Sequence, residues 1–343
     1  MHNDSCVLVI YTGGTIGMIR NSQTGALEPF NFEHLYSKMP VLENLKCRIA
    51  SYSFDPLIDS SDMKPDFGIR LAGVIEENYE LYDGFVVLHG TDTMAYSASV
   101  LSFMLENLNK PVVFTGSQLP LGMIRSDGRE NFITSIEIAT SYKDGTPLVP
   151  EVSICFENKL FRGNRTLKFN AENFNAFISG NYPPLAEVGI KIKFNHTSIL
   201  KPNFKKLKVH KNLDTNVVIL KLFPGISPKV VHAILNIPDL KAVILETYGS
   251  GNAPTEKWFL DALSNAIERD ILLYNVTQCK EGFVEQGLYN TSLALGSIGV
   301  ISGYDITTES ALAKLMYLFG EKFEIAHIRK LLTQSLRGEM TVV

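Results

Sequence analysis

Four short stretches of the 343-residue chain carry hydroxyls, carboxylates and amines in groupings that could do chemistry. The first is Tyr11-Thr12-Gly13-Gly14-Thr15-Ile16-Gly17, directly after the apolar run CVLVIY. Its glycines let a ligand approach the backbone and expose amide N–H groups, and threonines flank them. One reading is a phosphate cradle, as Gly-rich turns after a first strand often serve nucleotides. The other is a nucleophile turn, with Thr15 presented beside oxyanion-stabilising amides. A tight turn with capping threonines is the bland alternative. The spacing is GGxxG rather than GxGxxG, and GxxxxGK[ST] is absent, which counts against a nucleotide.

The second stretch is His89-Gly90-Thr91-Asp92-Thr93, after GFVVL. Thr91 could order a water or relay a proton, and Asp92 could hold an ammonium. Either could instead cap a helix opening near Met94. His89 is tempting as a base, but a lone His at a strand end is more often a structural residue. The third stretch, Asp59-Ser60-Ser61-Asp62, reads alone as a capping loop. The fourth, Arg162-Gly163-Asn164-Arg165-Thr166-Leu167-Lys168, reads alone as a solvated basic segment.

Such groups need a scaffold, and the pattern of apolar runs supplies one. CVLVIY (6–11), GFVVLHG (84–90), PVVFTGS (111–117) and VSICFE (152–157) are nearly continuous apolar runs. They alternate with helical patterns at 66–82, 95–108 and 128–141. This predicts α/β architecture with a parallel sheet covered on both faces. Ligands in such sheets sit beyond the carboxyl ends of strands, where the hydroxyl-bearing turns lie. The rhythm repeats at 216–225, 241–251, 271–278 and 299–305, and two helical patterns, 308–320 and 323–338, close the chain. Between the halves, KIKFNHTSILKPNFKKLKVHK (191–211) carries seven lysines and no acidic residue, and reads as a connector rather than a functional basic patch. The expected division is an N-terminal domain over 1–190, a linker over 191–213 and a C-terminal α/β domain over 214–343, in line with roughly 100–200 residues per domain.

Composition narrows the class. Apolar residues make up 45% and charged residues 20%, which is globular. A net charge of −4 argues against nucleic acid or an anionic membrane as the main partner. Cys6, Cys47, Cys155 and Cys279 form no CxxC pair and have no His at zinc spacing. A reducing, cytoplasmic setting is expected. The apolar run near the N-terminus is too short for a signal peptide, and no run approaches the length of a membrane span.

In order along the chain, TGGTIG, HGTDTM, TGSQLPL with RSDGRENF, GNRTLK, YGSGNAP and TQC resemble the L-asparaginase family in its cytoplasmic, type I branch. The resemblance spans nearly the whole chain. It implies a large N-terminal α/β domain and a smaller flavodoxin-like C-terminal domain. It also implies a homodimer or dimer of dimers, and hydrolysis of L-asparagine to aspartate and ammonia with neither metal nor organic cofactor. Residue by residue, Thr15 matches the nucleophile that forms an acyl-enzyme, and Thr91 the second catalytic threonine. Lys168 matches the lysine that eases proton removal, and Asp92 the carboxylate that pairs with it and binds the substrate amino group. Ser60 matches a binder of the α-carboxylate, with Gly14, Asp59 and Ser61 lining the same pocket. A positioned base is what a threonine hydroxyl needs near neutral pH, and a lysine beside an aspartate can shuttle a proton.

The chain departs from the family pattern in two places. The mobile loop after the nucleophile lacks the tyrosine many members carry, and Ala26 lies near its place. Tyr289, in EQGLYNTS, matches a tyrosine that some relatives reach across the subunit interface, and is expected to support Thr15 in trans. Asn252 is a second interface candidate or a turn former. Glu246 stands where some type I enzymes carry an effector-binding arginine, with Cys279 nearby, so weak or absent activation by asparagine is expected. Minor glutaminase activity is plausible, since one methylene in a pocket is worth only about 1–3 kcal/mol. A sensor would have lost Thr15 or Lys168, and a nucleotide-dependent oxidoreductase would need the missing GxGxxG.

Overall fold

The computed structural model describes residues 5–20, 27–29, 39–121, 123–287 and 290–342. Ala26 and Tyr289 lie outside them. Two compact units divide the chain, Met1–Val209 and His210–Val343.

The first unit is built on an eight-stranded sheet. Five strands run parallel, in the spatial order Cys47–Ser53, Ser5–Tyr11, Gly84–Leu88, Val112–Thr115 and Val152–Phe156. Every residue of the last three is buried. That is why they read as unbroken apolar runs: alternation appears only where one face meets water. On one face Val7, Val9, Val86, Leu88 and Val113 pack with Phe132 and Ile136 of the helix Gly128–Ala139. The helices Pro65–Asn78 and Met94–Met104 pack against each other, and from the first of them Phe67 meets the His89 ring at 5.4 Å.

The other edge of this sheet departs from the parallel expectation. Lys159–Arg162, Ala186–Val188 and Ile192–Phe194 add three antiparallel strands. The reversal occurs at Glu157 and Asn158, with φ of 43° and 61°. Two successive left-handed residues make the hairpin turn whose twist matches the flanking strands. The lysine-rich stretch is therefore not all connector. Its start is the edge strand, and Lys208–Val209 pairs with Leu105–Glu106.

The second unit holds four parallel strands in chain order: Val217–Lys221, Ala242–Thr247, Leu272–Thr277 and Ile301–Ser302. The helices Pro228–Leu235, Lys257–Glu268 and Asn290–Ser297 connect them, and Val231, Phe259, Leu263 and Leu295 share a core with Leu220, Val243, Leu245 and Leu273. The alternate strand residues Ala242, Ile244, Leu272 and Tyr274 are equally buried. The Tyr274 hydroxyl donates to the Leu332 carbonyl at the end of the helix Ile325–Leu332. Among the described residues no helix is long and apolar enough to cross a membrane.

One polar feature stands inside this unit. Lys314 Nζ and Glu339 Oε1 lie 2.7 Å apart with both side chains fully buried. Lys314 also donates to the Gln334 carbonyl, and Glu339 accepts from the Leu336 and Arg337 amides. The pair thereby fixes the C-terminal tail to the helix Thr308–Gly320. Removing one partner strands the other charge in an apolar interior, at a cost of about 3–5 kcal/mol. Glu339→Gln is expected to lower the denaturant midpoint strongly, and the double variant Lys314→Met/Glu339→Leu to recover much of the loss. A single variant as stable as the parent would contradict this role.

Candidate active site

Three turns at the carboxyl ends of neighbouring strands, or beside them, meet through glycines. Gly13 and Gly14 have φ of 131° and 89°, in the range L side chains avoid. A Cβ at Gly13 would lie 2.2 Å from the Ile58 carbonyl oxygen, and one at Gly14 would lie 2.5 Å from Gly90 N and Cα. A Cβ at Gly90 would lie 2.5 Å from Ser60 Oγ. Only bare backbone fits these contacts. They bring Thr15, Ser60 and Thr91 to one place, each at or next to a contact point.

The two threonines of the first turn are then distinguished. Thr12 is fully buried, and its hydroxyl donates to the Leu88 carbonyl at 2.9 Å. Thr15 is exposed and opens a single 3-10 turn, Thr15–Gly17. Tyr11 holds that turn from below. Its ring fills the space a Cβ at Gly17 would need, and its hydroxyl donates to the Gly17 carbonyl at 3.1 Å. Burial pushes the Tyr11 phenol up to about 12, so it remains a donor. The second turn is organised by Asp59, which caps the 3-10 turn Ser60–Asp62 by accepting from Ser61 N and Ser61 Oγ. Those two bonds hold the Asp59 carboxyl below its ordinary range. Ser60 is buried, while Asp59 and Ser61 are exposed.

In the third turn the capping alternative fails. The N-cap of the helix Met94–Met104 is Thr93, and its hydroxyl donates to the Ser60 carbonyl at 2.6 Å. Thr91 and Asp92 face Lys168 instead. Lys168 Nζ lies 2.9 Å from Thr91 Oγ1 and 2.5 Å from Asp92 Oδ1. Lys168 stands on the short strand Leu167–Lys168, paired with Phe177–Ile178 and set up by the turn Gly163–Arg165. Its side chain is 19% exposed, that of Asp92 62%. A hydroxyl, an amine and a carboxylate in one hydrogen-bonded row can carry a proton away from a nucleophile.

A fifth segment, to which the sequence alone assigns no role, completes the surroundings. Asp127 accepts from the Gln118 and Leu119 amides, and Asn131 Nδ2 donates to the Gly116 carbonyl. The Gln118 side chain then reaches Thr91. Gln118 also lines an open cleft of about 670 Å³ with Leu119, Met123 and Arg125 on one side and Ala171 and Phe174 on the other. The motif TGSQLPL…RSDGRENF was visible as a string, but its purpose needed the loop's geometry. No group of three or more His, Cys, Asp or Glu side chains suited to a metal occurs among the described residues. Asn252 closes the turn after Ala242–Thr247 through Tyr248, and Cys279 is exposed.

His89 belongs to the scaffold. It is fully buried; one ring nitrogen lies 2.6 Å from the Gly90 carbonyl and the other 2.9 Å from Ser97 Oγ. The carbonyl can only accept, so Nδ1 carries the proton and Nε2 accepts from Ser97. Burial drives its pKa down from 6.5 to about 4, against an opposing pull from the Gly90 carbonyl. Between those values the unfolded chain binds a proton and the folded one does not. Stability is therefore undiminished above pH 6.5 and falls as pH drops toward 4, by up to about 3 kcal/mol. NMR titration of the His89 ring should give a midpoint near 4, and a midpoint near its ordinary value of 6.5 would contradict this burial.

Comparison with known proteins places this geometry in a family. The family models described as "Asparaginase, N-terminal" and "Glutaminase/Asparaginase C-terminal domain" match residues 6–200 and 216–332. The chain is 44% identical over 336 residues to L-asparaginase 1 of Escherichia coli K12, covering 98% of each. The crystal structure of L-asparaginase I from Vibrio cholerae matches with a TM-score of 0.89 at 42% identity, covering 98% of this chain and 99% of that one. The thermostable L-asparaginase from Thermococcus kodakarensis matches with a TM-score of 0.89 at 30% identity, over 98% and 100% of the two chains. With its glycine-joined turns, its Thr91–Lys168–Asp92 row and these matches over nearly its full length, the chain is an enzyme of the asparaginase family.

Proposed function

We propose that the protein hydrolyses the side-chain amide of L-asparagine through a threonine acyl-enzyme. The row of Lys168, Thr91 Oγ1 and Asp92 Oδ1 beside the exposed Thr15 carries this reading. Thr15 Oγ1 attacks the amide carbon. Its proton passes to Thr91 Oγ1 while the Thr91 proton moves to Lys168 in its amine form, and Asp92 stabilises the ammonium that results. Amides of the 13–15 turn are the oxyanion donors. The proton returns along the same row to the leaving nitrogen, ammonia departs, and water attacks the ester by the same route to release aspartate and restore Thr15.

Substrate recognition follows from the same turns. Lys168 engages only one oxygen of the exposed Asp92 carboxylate, which leaves the other for the substrate ammonium. Ser60, with Gly14, Asp59 and Ser61 around it, receives the α-carboxylate. Tyr289 of a neighbouring subunit supports Thr15 in a cytoplasmic homodimer or dimer of dimers. Glutamine, longer by one methylene, is a minor substrate. Glu246 accepts from Thr308 Oγ1 at 2.6 Å and lies 3.3 Å from Lys221 Nζ. A carboxylate so placed repels an effector's carboxylate, so activation by asparagine from there is weak or absent.

Ammonia release from asparagine and glutamine by the parent and by Thr15→Ala, at matched folding, tests the reading. Expected are a hyperbolic asparagine curve, glutamine turnover lower by about 10–200-fold, and loss of activity by about three orders of magnitude or more in the variant. A folded parent inactive on both amides, or an active Thr15→Ala, would overturn it.

A further inference from the structure

We infer that the exposed turn over residues 203–206 is a surface for reversible contact with an anionic membrane, with Phe204 as its apolar tip and Lys201, Lys205 and Lys206 around it.

The turn presents Phe204 in a strained way. The residue is 75% exposed and sits at a backbone φ of 55°. A bulky side chain avoids this left-handed region, where glycine or asparagine is at ease. A single exposed ring means little by itself; a ring both exposed and held in a disfavoured backbone is a different matter. The hold comes from three asparagine side chains. Asn109 Oδ1 accepts from the Asn203 and Phe204 amides at 2.9 and 3.0 Å, and Asn109 Nδ2 donates to the Lys205 carbonyl at 2.8 Å. Asn203 Nδ2 donates to Asn107 Oδ1 at 2.8 Å, and Asn107 Nδ2 reaches the Lys206 carbonyl at 3.3 Å. Asn109 is itself anchored, its amide donating to the Tyr79 hydroxyl. Backbone outliers persist where the surroundings over-determine them, and they gather where a chain meets a ligand or partner.

Charge decides what the turn meets. Residues 191–211 include no acidic side chain. Lys201, Lys205 and Lys206 are exposed, and among the described residues no ion pair engages their ammonium groups. Lys208, also exposed, faces Glu106 at 3.8 Å. Lys110 stands apart, its ammonium committed to the Tyr79 and Tyr82 carbonyls. The net charge of −4 still argues against an anionic surface for the chain as a whole, and this turn is the local exception. Salt confines its reach to about 10 Å at 0.1 M. Lysines beside an anionic leaflet gain from its negative surface potential, and an apolar ring gains by leaving water at the headgroup level. One ring on an exposed turn suits such a surface, whereas single-stranded nucleic acid is held in grooves that stack several bases on several rings. With one ring and a few lysines the contact is weak and reversible.

The test is flotation of the full chain with vesicles of phosphatidylcholine alone, or with about one-third phosphatidylserine, at about 0.05 and 0.5 M salt. The parent is expected to float with the phosphatidylserine vesicles at low salt, and neither with phosphatidylcholine alone nor at high salt. Phe204→Gly and the double variant Lys205→Glu/Lys206→Glu should each weaken that binding by about fivefold or more. Glycine also relieves the backbone at this position, so the thermal midpoint of Phe204→Gly is expected to lie above that of the parent. That combination, more stable but no longer bound, is what a residue kept for contact rather than for folding gives. A parent that ignores phosphatidylserine, or variants that bind as the parent does, would overturn the inference. So would tighter binding to a single-stranded RNA than to the vesicles, a Phe204→Gly that is less stable than the parent, or one that changes the subunit number.

Discussion

Everything at the site depends on glycine backbone meeting its neighbours with no Cβ in between. Gly14 against Gly90, Gly13 against the Ile58 carbonyl and Gly90 against Ser60 are contacts that a single Cβ would push apart. They join the turns after two adjacent parallel strands to a loop reached through a third, the edge strand Cys47–Ser53. The sheet sets the spacing of those turns at about 4.8 Å per strand. The glycines convert that spacing into proximity of functional groups. Ser5–Tyr11 and Gly84–Leu88 are buried almost throughout and cannot shift without loss of core, so the residues that follow them inherit the rigidity of the sheet.

The reactive row is built differently, from side chains on distant elements. Thr91 and Asp92 ride on the turn before the helix Met94–Met104, and Lys168 rides on a two-residue strand after a 3-10 turn. Thr93, on the same turn, is tied to Ser60, so the Ser60 turn and the Thr91–Lys168–Asp92 row are held by one backbone. The neighbouring polar groups are mostly committed to structure: His89 to Gly90 and Ser97, Thr12 to Leu88, Asp127 to the 118–119 amides. This division of labour leaves Thr15 exposed and the Thr91–Lys168–Asp92 row free to act.

Much of this was legible in the chain, for reasons that are physical. Unbroken apolar runs such as GFVVL and VSICF announce strands covered on both faces, and the hydroxyl-bearing turns follow them directly. The antiparallel edge was not legible. Its turn at Glu157-Asn158 has no glycine to mark it, and Ile192–Phe194 sits in a lysine-rich stretch that composition assigns to solvent. The structural role of Thr12 is not legible locally, because it depends on its hydroxyl finding the Leu88 carbonyl across the sheet. His89 as base and Thr91 as cap were reasonable from spacing alone, and only burial and hydrogen-bond partners decide against them. Gln118 is not legible either, since an uncharged amide has no signature until its partners are known.

The most direct test of the account is where the acyl group resides during turnover. The enzyme is mixed with asparagine, quenched in acid within the first turnovers and mapped by peptide mass spectrometry. An aspartyl ester is expected on the peptide containing Thr15, formed in the parent and absent from Thr15→Ala. An ester on the peptide containing Thr91, or none on any peptide while ammonia is released in a burst, would contradict it.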